Sequence, residues 1–225
     1  MRAPRNAMTD ISRRAILRPP EAVLFDMDGV LVDTFEAWVA VLEVCRARRG
    51  LSPLGEEGVR ATWGQGVRAD CNTIFLGEDP ALLAREYSDR FPEQISRVVP
   101  EEGVLGTVRA IRRAGIRTAV VTNSPVFLAR LIVDRIGLAW GFDCLTGGDE
   151  VSRGKPDPDI VLLTLRRLGA EAPRAVLVGD TRLDIEAARA AGVPVIGYHI
   201  AGGDARIDRL LDLLPLIGLP PLPPC

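Results

Sequence analysis

The sequence predicts an α/β protein, a doubly wound parallel sheet carrying an inserted α-helical module. Three observations carry this reading. Short apolar runs without strict alternation recur as AVLFDM, RTAVVTN, AVLVGD and VPVIGY, the pattern of strands buried on both faces. Amphipathic stretches at about residues 103–114, 126–137, 158–168 and 182–191 fall between them, which is the alternation of stacked βαβ units. From Thr34 to about Pro100 that alternation stops, and TFEAWVAVLEVCRARRG, GEEGVRATWG and PALLAREYSDRFPEQISRVV read instead as helices separated by Gly and Pro.

In chain order, residues 1–20 are arginine-rich and lack the apolar stretch of a secretory signal, so they are expected to form a disordered tail, with Met8 a second candidate start. Residues 21–33 and 101–214 form the expected α/β core domain. Residues 34–100 form the expected helical cap domain, inserted after the first strand. The closing segment LPLIGLPPLPPC is too rich in proline to continue a helix, and residues 215–225 are expected to be a loose tail.

With 225 residues, the chain can build one core carrying a smaller inserted domain. A net charge of −2 gives no global attraction to nucleic acid or membrane, so the expected partner is a small molecule. Oligomeric state is left open between monomer and homodimer. Cys45, Cys71, Cys144 and Cys225 form no C-x-x-C pair and no metal-type spacing. Free thiols in a reducing cytoplasm are expected, and no run of about 18 apolar residues suggests a membrane span.

The chemistry begins with VLFDMDGVLVDT, where Asp26, Asp28 and Asp33 follow an apolar strand. Ligands of open α/β sheets bind beyond the carboxyl ends of the strands. Three runs end there in polar groups: Asp26 after VLF, Thr122 and Asn123 after AVV, and Asp180 after LVG. Asp26 and Asp28, two apart on an extended chain, can face one site. A single acid at a strand end reads first as a helix cap, but several converging acids need a positive partner. Asp33 is different: Asp33-Thr34-Phe35-Glu36 fits a capping box opening the first inserted helix, with Glu36 reaching back.

The positive partner is Lys155, the single lysine beside 27 arginines. A lysine supplies a compact point charge that fits between carboxylates, where an arginine would bring a broad planar fork. In RGKPDPDI, Asp157 is expected to cap the next helix with Pro158 at its first position, leaving Lys155 in the loop ahead of it.

With DMDGVL, Thr122 in VVTNS, Lys155 in GKPDP and Asp180 and Asp184 in GDTRLD, in that order over about residues 22–198, the chain resembles the haloacid dehalogenase superfamily. The likeness is to its phosphatase branch, with a Rossmann-like core and a helical cap between the first and second motifs. The resemblance implies Asp26 as a nucleophile forming an aspartyl-phosphate and Asp28 as general acid and base. Thr122 and the backbone of Asn123 would hold phosphoryl oxygens, and Lys155 would offset charge. It further implies Mg²⁺ held by Asp26, the main-chain oxygen of Asp28 and Asp180, with Asp184 orienting a water or Lys155. An acid at Asp28 suits an ester leaving group and argues against dehalogenation.

The cap is expected to choose the substrate. Arg68, after the glycine-containing loop WGQGVR, is the candidate for a distal anionic or hydroxylated group. Trp38 and Trp63 are expected in the cap core. The cap contains no lysine for Schiff-base chemistry, and TFEAW offers no histidine where mutase relatives carry one. His199, beyond the last strand, is read as structural or at the surface. The reading that results is a Mg²⁺-dependent phosphatase of small phosphorylated metabolites, phosphoglycolate-like substrates foremost. Its alternatives are a hexose-phosphate mutase and a non-catalytic phosphometabolite-binding regulator.

Overall fold

The computed structural model describes residues 19–222. The chain begins its sheet with β1 (Ala22–Phe25), whose four residues are fully buried. Flanking β1 are β4 (Arg117–Thr122) and β6 (Ala175–Gly179), and the complete order is β5-β4-β1-β6-β7-β8, all parallel, with β5 at Cys144–Gly147, β7 at Val195–Tyr198 and β8 at Ala205–Ile207. The reason that β1 is apolar without alternation is visible in its two faces. Val23 and Phe25 enter one core cluster and Ala22 and Leu24 the other, so every position meets apolar neighbours.

Helices α7 (Asp159–Leu168) and α8 (Arg182–Ala190) cover one face, through Ile160, Val161, Leu165 and Ile185. On the other lie α5 (Val104–Arg113), α6 (Val126–Arg135) and α9 (Leu213–Leu216), through Val108, Ile111, Leu128, Ile132 and Leu214. Phe25 pairs with Val120 on one side and Val178 on the other. The next residues, Asp26, Val121 and Gly179, therefore share one level at the carboxyl rim, with Thr122 and Asp180 just beyond.

Between β2 (Val32–Asp33) and β3 (Val99–Pro100), which pair antiparallel, the chain leaves the sheet and returns. The excursion holds α1 (Phe35–Ala47), α2 (Gly55–Ala61), α3 (Val67–Thr73), α4 (Pro80–Arg90) and a 3-10 turn at Phe91–Arg97. Val41, Leu42, Cys45, Phe75, Leu83, Tyr87 and Phe91 build its interior, continuous with the core under β1.

Several local readings are corrected. Thr34, not Asp33, is the N-cap of α1, and its side chain makes no cap bond; Asp33 accepts from the Phe35 N–H at 2.9 Å instead. Asp157 does not cap α7: the cap position falls on Pro158, and Asp157 pairs with Arg153 at 3.0 Å. Residues 215–219, expected to be loose, are packed instead. Pro215 sits inside the four-residue α9, where its missing N–H leaves no bond unmade. Ile217 is fully buried, Leu219 N–H donates to the Leu214 carbonyl, and Gly218 takes φ +77° to make that turn. Pro20 is likewise buried, while the rest of the expected N-terminal tail, Met8 included, lies outside the described residues, as do residues 223–225. Cys45, Cys71 and Cys144 are free thiols, and Cys225 falls outside the described residues. No described helix is long and apolar enough to cross a membrane.

The buried end of the chain predicts that Ile217→Ala lowers stability by about 2–5 kcal/mol, the range for emptying a core site. Urea unfolding should show the midpoint fall. A change below 0.5 kcal/mol, the usual size for an exposed site, would mean that the segment is as loose as its prolines suggest.

Candidate active site

The sheet register brings Asp26, Asp28, Thr122, Asn123 and Lys155 to one cavity between the sheet rim and the cap. Lys155 Nζ lies 2.7 Å from Asp26 Oδ1 and 2.6 Å from Asp184 Oδ1, and it donates to the Val121 carbonyl at 3.1 Å. Its side chain is only 2% exposed. The backbone of Lys155 is fixed as firmly: the Asn123 side chain accepts from its N–H at 2.8 Å and donates to its carbonyl at 2.9 Å. Asn123 Nδ2 also donates to the Gly64 carbonyl at 2.8 Å, tying the cap to the rim. Gly64 takes φ +78° and packs so close to Thr181 that a Cβ would lie 2.9 Å from its methyl group.

Asp28 has a different environment. Thr34 Oγ1 and Trp38 Nε1 donate to its Oδ1, the indole at 3.2 Å. Ser124 Oγ, at 3.1 Å, and the longer contact from Thr122 Oγ1, at 3.4 Å, serve Oδ2. Sequence reasoning missed Thr34, Trp38 and Ser124 in this role, because each looks locally like a helix start, a core aromatic or a loop hydroxyl. The hydroxyl that would have capped α1 is turned to Asp28.

The acids outnumber their cation. Asp26, Asp180 and Asp184 have oxygens within 4.8 Å of one another. Burial, then the neighbouring charge of Asp184, hold Asp26 well above the usual carboxylate range, although Lys155 opposes them. The same two causes push Asp180 up to about 7. Burial alone would lower Lys155, but Asp184 and Asp26 more than offset it and hold the ammonium above its ordinary value.

Oxygen donors suited to a hard divalent cation are present. Asp180 Oδ1 is buried with no hydrogen-bond partner. Among the described residues no main-chain N–H reaches the Asp28 carbonyl oxygen. Gly29, at φ +84°, leaves space where a Cβ would fall 2.2 Å from Asp180 Oδ2. Asp184 is otherwise occupied: Oδ1 holds Lys155, and Oδ2 accepts from the Thr181 N–H at 3.1 Å and from the Thr181 hydroxyl. Of the two expected uses of Asp184, the geometry favours orienting Lys155.

Arg68 is not brought to this cavity. Val67 and Asp70 of α3 line it, and Arg68, a residue further round the helix than Val67, is exposed on a neighbouring groove beside Gly148 and Arg153. Trp38 packs on Tyr87 and Phe91 and Trp63 on Phe35, as expected of cap-core residues, yet both also form the cavity wall. His199 is exposed beyond β7, its Nδ1 3.4 Å from Asp208. Also unforeseen is a buried cap cluster in which Asp70 accepts from Gln65 Nε2 at 2.6 Å and Tyr87 OH at 2.7 Å. Residues 5 and 17 positions apart in sequence give no pattern that would have found it.

A model of haloacid dehalogenase-like hydrolases matches residues 23–198. The chain is 40% identical to N-acetylmuramic acid 6-phosphate phosphatase of Pseudomonas aeruginosa, over 88% of this chain and 94% of that protein. It is 33% identical to phosphoglycolate phosphatase 1 of the same organism, over 88% and 80%. Among solved structures, CbbY from Rhodobacter sphaeroides in complex with phosphate superposes with a TM-score of 0.77 at 27% identity, covering 89% of this chain and all of that one. The chain belongs to the haloacid dehalogenase-like hydrolases and is a phosphoric monoester hydrolase.

Asp70 gives a test of the buried geometry. Burial raises its carboxyl to about 6, against the lowering effect of Tyr87 and Gln65. Because the folded value is the higher, the folded state binds the proton more tightly, and this group's contribution to stability falls as pH rises from about 4 to about 6. The span is on the order of 3 kcal/mol. Thermal melts from pH 4 to 8 should show Asp70→Asn lacking that decline. Parallel pH profiles for the two proteins would show that Asp70 ionises as it does in water.

Proposed function

We propose that this hydrolase cleaves phosphomonoesters of small metabolites through an aspartyl-phosphate on Asp26, with Asp28 as the general acid and base. The observation that carries the reading is the contrast between the two carboxyls after β1. Asp26 meets a buried ammonium through Oδ1, while Oδ2 has no hydrogen-bond donor among the described residues. Asp28 is surrounded by neutral donors.

In this reading Asp26 Oδ2 attacks phosphorus in line with the ester oxygen. Lys155 fixes the carboxylate's orientation and offsets charge that develops as the phosphoryl group transfers. Asp28 gives its proton to the departing ester oxygen, then takes one from the water that hydrolyses the acyl phosphate. In this reading the transferred proton is carried on Asp28 Oδ2, the oxygen that does not face the donor-only indole of Trp38. There Thr122 and Ser124 face it, and their hydroxyls can donate to the carboxylate or accept from the acid. Thr122 and the main-chain N–H of Asn123 hold phosphoryl oxygens, while the Asn123 side chain keeps Lys155 and the cap loop in position. The buried cavity beneath the cap keeps solvent from the acyl phosphate.

Mg²⁺ is the proposed cofactor. Asp26, Asp180 and the main-chain oxygen of Asp28 would hold it, and when bound it supplies positive charge against the phosphoryl oxygens. Asp184 serves by orienting Lys155. A cytoplasmic location and a small phosphorylated partner accord with this chemistry. Substrates of the phosphoglycolate kind are foremost; the relatives' names give phosphoglycolate and N-acetylmuramic acid 6-phosphate, both phosphomonoesters that also carry a carboxylate.

Phosphate release from a panel of small phosphomonoesters should require added Mg²⁺ and cease in Asp26→Asn. Asp28→Asn should slow it by about 10²–10⁴-fold. Lys155→Arg should cost on the order of 10²-fold in kcat, because the wider guanidinium cannot occupy a point held by three oxygens. Near-normal turnover by Asp26→Asn, with deamidation excluded, would rule out the covalent route. Transfer of phosphate within a sugar without release would identify a mutase.

A further inference from the structure

Four side chains hold the carboxyl of Asp28, and they differ in one respect that decides where its proton can sit. Ser124 Oγ and Thr122 Oγ1 reach Oδ2 at 3.1 Å and 3.4 Å. Thr34 Oγ1 and Trp38 Nε1, the indole at 3.2 Å, reach Oδ1. A hydroxyl rotates to donate or to accept, so Ser124, Thr122 and Thr34 each suit either protonation state of the oxygen they face. An indole N–H only donates. Of the four, Trp38 alone fixes a direction, and it restricts Oδ1 to accepting.

The consequence depends on where each oxygen lies. Thr122 and Ser124, the partners of Oδ2, line the cavity, whereas Thr34 is fully buried and stands outside its wall. Without the indole, Oδ1 is free to carry the proton and donate it to the Thr34 hydroxyl, away from the cavity. With the indole in place, Oδ1 accepts whether Asp28 is charged or neutral, and the proton is left to Oδ2. The N–H is also firmly aimed. Thr34 and Trp38 lie four residues apart on one face of α1, joined by the Trp38 N–H donating to the Thr34 carbonyl at 3.0 Å. The indole ring packs against Tyr87 and Phe91, with centroids 5.2 Å and 4.9 Å away, and both of those residues are buried.

We propose that Trp38 is a positioning residue for the departure of the leaving group: its N–H keeps Asp28 Oδ1 an acceptor, so that the transferable proton stands on Oδ2, on the cavity side. This rests on the reading of Asp28 as general acid and deepens it by naming the residue that aims the acid. In that step Asp26 Oδ2 forms its bond to phosphorus, the bond from phosphorus to the ester oxygen breaks, and the Oδ2 proton of Asp28 passes to that oxygen to give the free alcohol. Trp38 acts through Asp28, so its contribution scales with how much the leaving oxygen needs the proton.

Benzyl, phenyl and 4-nitrophenyl phosphate are similar in bulk and present leaving oxygens of decreasing basicity, so the first needs protonation most and the last least. The quantity to compare is kcat/KM, which reports the steps through departure of the alcohol. Trp38→Phe should lower it for benzyl phosphate by about 10-fold or more, a part of the roughly 10²–10⁴-fold that a general acid supplies. The loss should shrink stepwise through phenyl to 4-nitrophenyl phosphate. Asp28→Asn should show the same gradient more steeply, and adding Trp38→Phe to Asp28→Asn should steepen it no further, since both act through one proton. Should Trp38→Phe fail to fold, benzothiophene in place of the indole at position 38 keeps the bicyclic shape and removes only the N–H. Equal losses across the series in the folded variants, or none, overturn the proposal and leave Trp38 a packing residue of the cap. A gradient in Asp28→Asn without one at Trp38 does so while leaving the hydrolase mechanism standing. Absence of the gradient in Asp28→Asn itself overturns the reading of Asp28 as general acid, and this inference with it.

Discussion

The carboxyl rim of the sheet is built around a buried ammonium shared between two carboxylates. Lys155 reaches Asp26 from the end of β1, Asp184 from the first turn of α8, and the carbonyl of Val121 in β4. These groups come from three separate crossings of the chain, and their common point is a single positive charge. Taking such ions out of water costs several kcal/mol each, and removing one partner leaves the others uncompensated. The arrangement is therefore better understood as positional than as a source of net stability. A compact ammonium on a flexible stem meets three oxygens at once; a guanidinium would force them apart. That explains why the only lysine of a chain with 27 arginines stands here.

The supports around Lys155 extend the same logic outward. Asn123 holds its backbone by two hydrogen bonds and reaches the cap loop with a third. Thr181 clasps the free oxygen of Asp184, which leaves that carboxylate no freedom to turn elsewhere. Asp180 remains with a buried oxygen lacking any partner, pushed up to about 7 by burial and its acidic neighbours. An excess of negative charge around one lysine is a cost in the protein alone and an attraction for a hard cation. Asp28, two residues from Asp26, is held instead by hydroxyls and an indole, two of those four donors coming from the start of the cap. The start of the cap thus touches the proposed acid and base directly, through Thr34 and Trp38.

Much of this was legible in the sequence wherever a local pattern carried it. The central strands announce themselves because both of their faces are buried, and the rim residues follow from where those apolar runs stop. Edge strands escape the same test: CLTG is half exposed and ARI carries an outward arginine, so neither forms an apolar run. Helix α3 hides behind two glycines and places an aspartate inward. Arg68 follows a glycine loop in the sequence, but a helix rotates about 100° per residue, and that rotation gives the cavity to Val67. Thr34 looks locally like part of a capping box, since its long-range partner, Asp28, has no signature at a spacing of six. The Gln65–Asp70–Tyr87 cluster forms only when α3 and α4 pack together, and the prolines of the C-terminal segment mask Ile217, which the core takes up.

The central claim is that Asp26, held by Lys155, becomes the phosphorylated residue. Rapid acid quench during turnover, followed by borohydride reduction and peptide mass spectrometry, tests it most directly, because reduction converts an aspartyl-phosphate to homoserine. The account predicts homoserine at position 26, forming only with substrate present. Homoserine at Asp28 or Asp180, or none at position 26 while phosphate is being released, would contradict it.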